Sequence, residues 1–190
     1  MNTAVIYGSN RSDRQGIKAA KFIINKLSEK GHKVVFVDTK EYQLPFLDKM
    51  HKEYKPGKAP EKMEKIHQIF EKADGFVIVS GEYNHSIPAA LKNTLDHFQS
   101  EYNFKPSAIV SYSAGPFGGL RVAVHLRAVL AELGMPSIPS IFPVSAVQNA
   151  FDDNGNALDK NYDKRVVRFI NEFEWYMQAL KNQRKTGVPY

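Results

Sequence analysis

A chain of 190 residues is long enough for one domain with a sizeable core and short for two. Its 43% apolar and 24% charged residues exclude a disordered chain, and the lack of cysteine excludes disulfides, thiolate nucleophiles and Cys-based metal sites. The formal charge of +6 favours anionic ligands, yet Lys and Arg are spread along the chain and the densest stretch, Lys49 to Lys65, also holds Glu53, Glu61 and Glu64, so that stretch is read as a solvated face and nucleic acid is not the expected partner.

Ala4-Val5-Ile6-Tyr7 is a short apolar run stopped by Gly8 and predicts a buried strand. Ile17, Ala20, Ile24 and Leu27 fall at helical spacing, and Gly31 ends that helix. Val34 to Val37 predicts the second strand, ending at Asp38. The connection from Thr39 to Pro60 carries Pro45, Pro56, Gly57 and Pro60 and is expected to be mostly loop. Glu61 to Lys72 predicts a helix with Met63, Ile66, Ile69 and Phe70 inward, followed by a strand over Phe76–Val79 that Ser80-Gly81 ends. Ile87 to Phe98 predicts a helix with Pro88 in its first turn. Ala108–Val110 is the fourth strand. Gly115 to Gly119 breaks the chain, and Val122, Leu126, Val129, Leu130 and Leu133 mark a helix closed by Gly134. Met135 to Phe142 is a proline-interrupted fifth strand suited to a sheet edge. Asp152 to Gly155 is a turn. Val166, Phe169, Ile170, Phe173, Met177 and Leu180 stripe a final helix. Phe169, Phe173, Trp175 and Tyr176 are read as mostly core, with Trp175 off the main stripe. Residues 1–182 are expected to form one domain and 183–190 a basic tail.

Strands alternating with helices predict a three-layer α/β/α sandwich around a five-stranded parallel sheet, in the flavodoxin-like order 2-1-3-4-5. Ligands bind such sheets beyond the carboxyl ends of the strands, which selects three loops. The first, Gly8 to Gly16, leads into a helix whose unpaired N–H groups favour an anion. Ser9, Ser12, Arg11 and Arg14 add donors suited to phosphate. The alternative is a polar turn with solvated arginines. The loop has neither Gly-Lys-Ser/Thr nor G-x-G-x-x-G, so triphosphate hydrolysis and a dinucleotide fingerprint lack support. The second loop offers Tyr83, Asn84 and His85; the third offers Tyr112, Ser113 and glycines that allow close backbone approach. Together they suit a flat heterocycle on a phosphate tail, of which FMN is one. Ser113 lacks a nucleophile-elbow frame, because position 111 is Ser. The six histidines show no zinc spacing, so no metal is expected. No apolar run is long enough to cross a membrane, and a cytoplasmic protein is expected.

The run Glu82-Tyr83-Asn84-His85-Ser86-Ile87-Pro88 through Asn93-Thr94-Leu95-Asp96 closely resembles the signature of the NAD(P)H-dependent FMN reductases and azoreductases of the flavodoxin-like superfamily. The first loop is similar to that family's Gly-Ser-x-Arg phosphate motif. Ser113-Ala114-Gly115 with Gly118-Gly119, and Leu44 to Asp48, resemble two further segments, in the family's order. The resemblance implies that Ser9, Arg11, Arg14, Gln15 and Gly16 hold the FMN phosphate. It implies that Glu82, Tyr83, Asn84 and His85 lie along the ring, and that Ser113, Gly115, Gly118 and Gly119 close the ribityl side. It implies hydride passage from NADPH or NADH through bound FMN to a small-molecule acceptor such as a quinone, azo compound, metal oxyanion or free flavin. No side chain is then a catalytic group, because the flavin carries the chemistry. A homodimer or dimer of dimers is implied as well. Gly81 stands where the family usually has Pro, and Asp13 brings a negative charge close to the expected phosphate. Two other classes fit the same fold. One is a flavodoxin-type electron carrier, against which Arg11, Arg14 and the basic charge argue. The other is a flavin-bound redox sensor using the Lys-rich loop as a partner surface.

Overall fold

The computed structural model describes all residues from Met1 to Tyr190. Strands β1 (Asn2–Tyr7), β3 (Gly75–Gly81) and β4 (Ser107–Tyr112) are near-continuous buried runs, the pattern of parallel strands covered on both faces. β2 (Lys33–Asp38) and β5 (Ser137–Val144) mix buried and exposed positions, and they are the sheet edges. The order is β2-β1-β3-β4-β5, all parallel. Pro139 and Pro143 are tolerated in β5 because an edge strand leaves one side unpaired.

Alternation along each strand splits the core into two layers. On one face Val5, Tyr7, Val77, Val79 and Val110 pack against α1 (Gly16–Glu29) and α6 (Lys160–Arg184). On the other, Ala4, Ile6, Phe76, Ile78 and Ile109 meet α3 (Glu61–Lys72), α4 (Ala89–Asp96) and α5 (Leu120–Glu132). The three-layer sandwich expected from the sequence is therefore the fold.

Several boundaries differ from expectation, each for a local reason. Ile17 and Ile24 of α1 are only half-buried, and the adjacent Phe22 and Ile23 take the deepest positions with Ala19 and Ala20. The connection after β2 holds a four-residue helix, α2 (Thr39–Tyr42), because the Asp38 carboxylate accepts the Lys40 N–H and caps it. Pro88 stands at the cap of α4 in extended backbone rather than inside its first turn. A proline disfavours helical geometry at the residue before it, so Ile87 stays outside. Trp175 is exposed, whereas Phe169 and Phe173 are core. α6 runs past the expected boundary at 182, to Arg184. That side chain donates to the Phe104 carbonyl at 2.7 Å, and the Tyr190 ring packs on Phe104, so the end of the chain is tied to the body.

Candidate functional site

The register puts Tyr7 beside Asp38 on one side and Val79 on the other, so the chain leaves β1 between the ends of β2 and β3. Gly8 N–H still bonds to the Val79 carbonyl. Beyond it, none of the backbone N–H groups from Ser9 to Gly16 donates to a protein acceptor. α1 starts with no side-chain cap and no acidic residue in its first turn. A segment of unpaired amides entering an uncapped helix N-terminus is an anion cradle. Gly16 is required there by close approach: a Cβ would lie 2.1 Å from Cζ of Tyr112, whose buried ring supports the start of the helix.

The two arginines of this loop have different occupations. Arg11 is exposed, and its guanidinium has no protein acceptor. Arg14 donates to the carboxylate of Asp38 at 2.5 Å and to the Ser9 carbonyl at 3.1 Å, and lies over the Tyr7 ring. Asp38 is 1% exposed, and its hydrogen bond pushes the Arg14 guanidinium above its usual range. Arg14 therefore holds the loop to the sheet, while Arg11 is the free cation. Asp13 does not turn to Arg14; its carboxylate accepts from the Gln15 side chain at 2.7 Å. Ser9 Oγ is 2.9 Å from the Tyr83 hydroxyl, which joins the first loop to the second.

In the second loop, Tyr83 and Ser86 exchange both backbone hydrogen bonds around Asn84 and His85, with φ of +48° and +66°. Positive φ at both central residues is the geometry of a type I′ turn, and a side chain in that region is strained. The Tyr83 N–H is spent inside the turn; those of Asn84 and His85 have no protein acceptor. Glu82 has a structural task of its own. Its carboxylate accepts the N–H groups of Arg121 and Val122 and so caps α5.

In the third loop, Ser113 donates its hydroxyl to the Gly115 carbonyl. A Cβ on Gly115 would meet nothing within 4 Å, so packing does not demand glycine there. Gly119 is different. It begins α5 at φ +74°, and a Cβ would lie 2.8 Å from the Tyr112 carbonyl oxygen. Gly118, at φ +61°, accepts the Ser111 hydroxyl on its carbonyl. Both glycines make the turn under β4, and neither reaches the cavity wall.

A cavity of about 360 Å³ gathers the remaining expected residues: Ser9, Arg11, Arg14, Gln15, Gly16, Glu82, Tyr83 and Ser113. Asn84, His85 and Gly115 lie outside its lining. Val147 and Gln148, from the loop after β5, complete the wall. No motif in the sequence marks them, since they follow a proline-interrupted edge strand, although that strand too ends at the carboxyl edge. A second cavity, about 610 Å³, lies against Arg11 and Tyr83 and is walled by Gln43–Phe46, Pro88–Ala90 and Asn93. Arg11 and Tyr83 thus stand between two cavities. Asn10, within the first loop, accepts the Thr39 hydroxyl at 2.8 Å and pins the larger one.

This sheet order, with an anion cradle at the first carboxyl end and aromatic and glycine loops beside it, defines a flavodoxin-like α/β class. The chain belongs to the NADPH-dependent FMN reductase family, whose model matches residues 1–149. It is 30% identical over 128 residues to an NAD(P)H-dependent FMN reductase of Pseudomonas aeruginosa, covering 64% of this chain and 69% of the relative. It is 27% identical over 166 residues to a quinone reductase of Pseudomonas putida, covering 84% and 86%. Among solved structures it is similar to the flavoenzyme NAD(P)H:(acceptor) oxidoreductase FerB from Paracoccus denitrificans. The TM-score is 0.73 at 24% identity, over 94% of this chain and 97% of that one.

Proposed function

We propose that this protein binds FMN and uses it to pass reducing equivalents from NADPH or NADH to a small-molecule acceptor, with a quinone the first candidate. The observation that carries the reading is the unbroken run of unpaired amides from Ser9 to Gly16 at the uncapped start of α1, opening on the same cavity as Tyr83 and Tyr112. A phosphate monoester fits that cradle: the amides supply donors, Arg11 supplies charge, and Gly16 lets the backbone approach. Tyr83 offers its ring face. The free N–H groups of Asn84 and His85, in the turn that follows Tyr83, offer donors to a carbonyl or ring nitrogen of a ligand that extends beyond the cavity lining, and the strained turn holds them in one orientation.

FMN, when bound, supplies the hydride chemistry. The chain's own work is positional. Arg14 and Asp38 fix the cradle to the sheet, the Ser9–Tyr83 hydrogen bond fixes the second loop against the first, and Glu82 fixes α5 beneath it. No general base is required. Azo compounds, metal oxyanions and free flavin are further acceptor classes within the same proposal.

A homodimer, or a dimer of dimers, belongs to the reading. Leu120 and Val124, 46% and 65% exposed, stand one turn apart on α5, and Phe117, 62% exposed, lies in the turn that enters the helix; these exposed apolar side chains are suited to a second copy. No helix is long and apolar enough to cross a membrane. A cytoplasmic location is part of the same proposal.

The test is to add FMN to the purified chain, record the visible spectrum, and follow NAD(P)H oxidation with a quinone. The expected result is one bound FMN per chain and sustained turnover. Flavin binding without turnover would favour a flavodoxin-type carrier or a redox sensor, and no FMN uptake would overturn the reading.

A further inference from the structure

His51, His67 and Glu101 are far apart in sequence, and their spacing matches no metal motif. The fold brings them together on the α3 side of the sheet. His51 sits in a short 3₁₀ turn of the connection after α2, His67 on α3, and Glu101 in the 3₁₀ turn Ser100–Tyr102. His67 Nδ1 is 2.8 Å from Glu101 Oε1, and His51 Nδ1 is 3.5 Å from the same oxygen. The two imidazoles stack at 3.8 Å, 14° from parallel. The other Glu101 oxygen accepts the Gln99 N–H, so Oε1 is left facing the two rings. Glu101 is 4% exposed.

The arrangement around His51 is unsatisfied as it stands. Its Nδ1 faces Glu101, and its Nε2 lies 3.4 Å from Glu64 Oε2. A neutral imidazole carries one proton and can donate to only one of two carboxylates. Nε2 is buried and makes no hydrogen bond. With a cation at Nδ1 the ring proton stands on Nε2, facing Glu64, which gives the carboxylate–histidine–metal arrangement that orients ligating histidines.

We propose that His51 Nδ1, His67 Nδ1 and Glu101 Oε1 form a site for a first-row divalent cation of zinc type, with Glu64 orienting His51. Two imidazoles and one carboxylate are a donor set for zinc and its neighbours and a poor one for magnesium or calcium. The three donor atoms lie within 4.8 Å of one another. Donors on a tetrahedral zinc stand about 3.3 Å apart, given bonds of 2.0–2.1 Å. Imidazole lone pairs lie in the ring plane, so the two rings must tilt out of their 3.8 Å stack for both Nδ1 atoms to converge on one ion. His67 retains 29% exposure, which leaves a side open to water as a fourth ligand.

The cation has a structural role in this placement. It ties the connection carrying His51 to α3 and to the turn after α4. The His51 N–H already donates to the His97 carbonyl at the end of α4. The same connection supplies Gln43–Phe46 to the larger cavity, so the metal stiffens that wall.

The experiment uses the untagged full chain, stripped with chelator and titrated with zinc by calorimetry. Thermal unfolding is followed in parallel, and cobalt serves as a spectroscopic replacement. One equivalent of zinc is expected to bind and raise the melting temperature, with cobalt giving the intense visible bands of a low-coordinate site. H67Q and H51Q are each expected to lower zinc affinity by more than about 100-fold, and E64Q by about 10–100-fold, the range for a partner that orients a ligand. Each variant is melted without metal to establish that it folds. Lack of stoichiometric zinc uptake by the wild-type chain would overturn the proposal, as would unchanged uptake in H51Q and H67Q, or magnesium binding as tightly as zinc.

Discussion

Two arginines three residues apart are expected to behave differently when removed. Arg14→Ala leaves Asp38 buried at 1% exposure; its Oδ1 keeps only the Lys40 N–H, at 3.0 Å, and Oδ2 has no partner. Breaking a buried ion pair from one side costs about 3–5 kcal/mol. The Arg14 side chain is 16% exposed, so water reaches the pair and the lower end, about 3 kcal/mol, applies. For a chain of this size that lowers the melting temperature by about 6–12 °C. Arg11→Ala removes a solvated side chain and changes stability by less than about 0.5 kcal/mol. It weakens FMN binding by about 1.5–3 kcal/mol, the range for a hydrogen bond to a charged group. The assays are thermal unfolding by circular dichroism without flavin, and titration of FMN by quenching of its fluorescence. Adding Asp38→Asn to Arg14→Ala recovers part of the lost stability, because the stranded charge is gone. If Arg14→Ala melts like the wild type and weakens FMN as much as Arg11→Ala does, the division of roles is wrong and both guanidiniums face the phosphate.

Gly16→Ala forces its methyl into the Tyr112 ring and displaces the start of α1. The expected cost is about 1–3 kcal/mol of overpacking, offset by at most about 1 kcal/mol of helix preference, together with weaker FMN binding; an unchanged melting temperature and FMN affinity would contradict the packing. His85→Val is expected to lose about 1–2 kcal/mol at φ +66°, whereas His85→Gly stays within about 0.5 kcal/mol of wild type, and equal melting of the two would show the turn unstrained. Burial pushes Lys105 down to about 8 while its Nζ donates to the Phe70 and Glu71 carbonyls at the end of α3. Between pH 8 and about 9.5, below the range where the tyrosines titrate, Lys105 therefore binds more protons in the unfolded chain than in the folded one, and its contribution to stability rises with pH. The gain is roughly 1–2 kcal/mol after allowance for solvent screening, and denaturant titrations across that window should show it in the wild type and lose it in Lys105→Met.

The sequence by itself determined the layers and the edge at which ligands bind. Unbroken apolar runs such as Phe76–Val79 fit only strands buried on both faces, and helical periodicity placed their covers. Strands alternating with helices then put every loop of interest at the carboxyl ends. It could not assign partners. Arg11 and Arg14 look alike in the chain, and only the β1–β2 register, which sets Tyr7 against Asp38, brings a buried carboxylate to Arg14 and leaves Arg11 free. Glu82 and Gly118-Gly119 read as ligand contacts within a motif, and only the packing shows that α5 begins among them, so that Glu82 caps it and the two glycines form its entry turn. His51, His67 and Glu101 have no common period, and they meet because a long connection folds back over α3. Periodicity reports which face of an element is buried; which side chains touch is decided by how the elements pack, and that is a property of the tertiary structure alone.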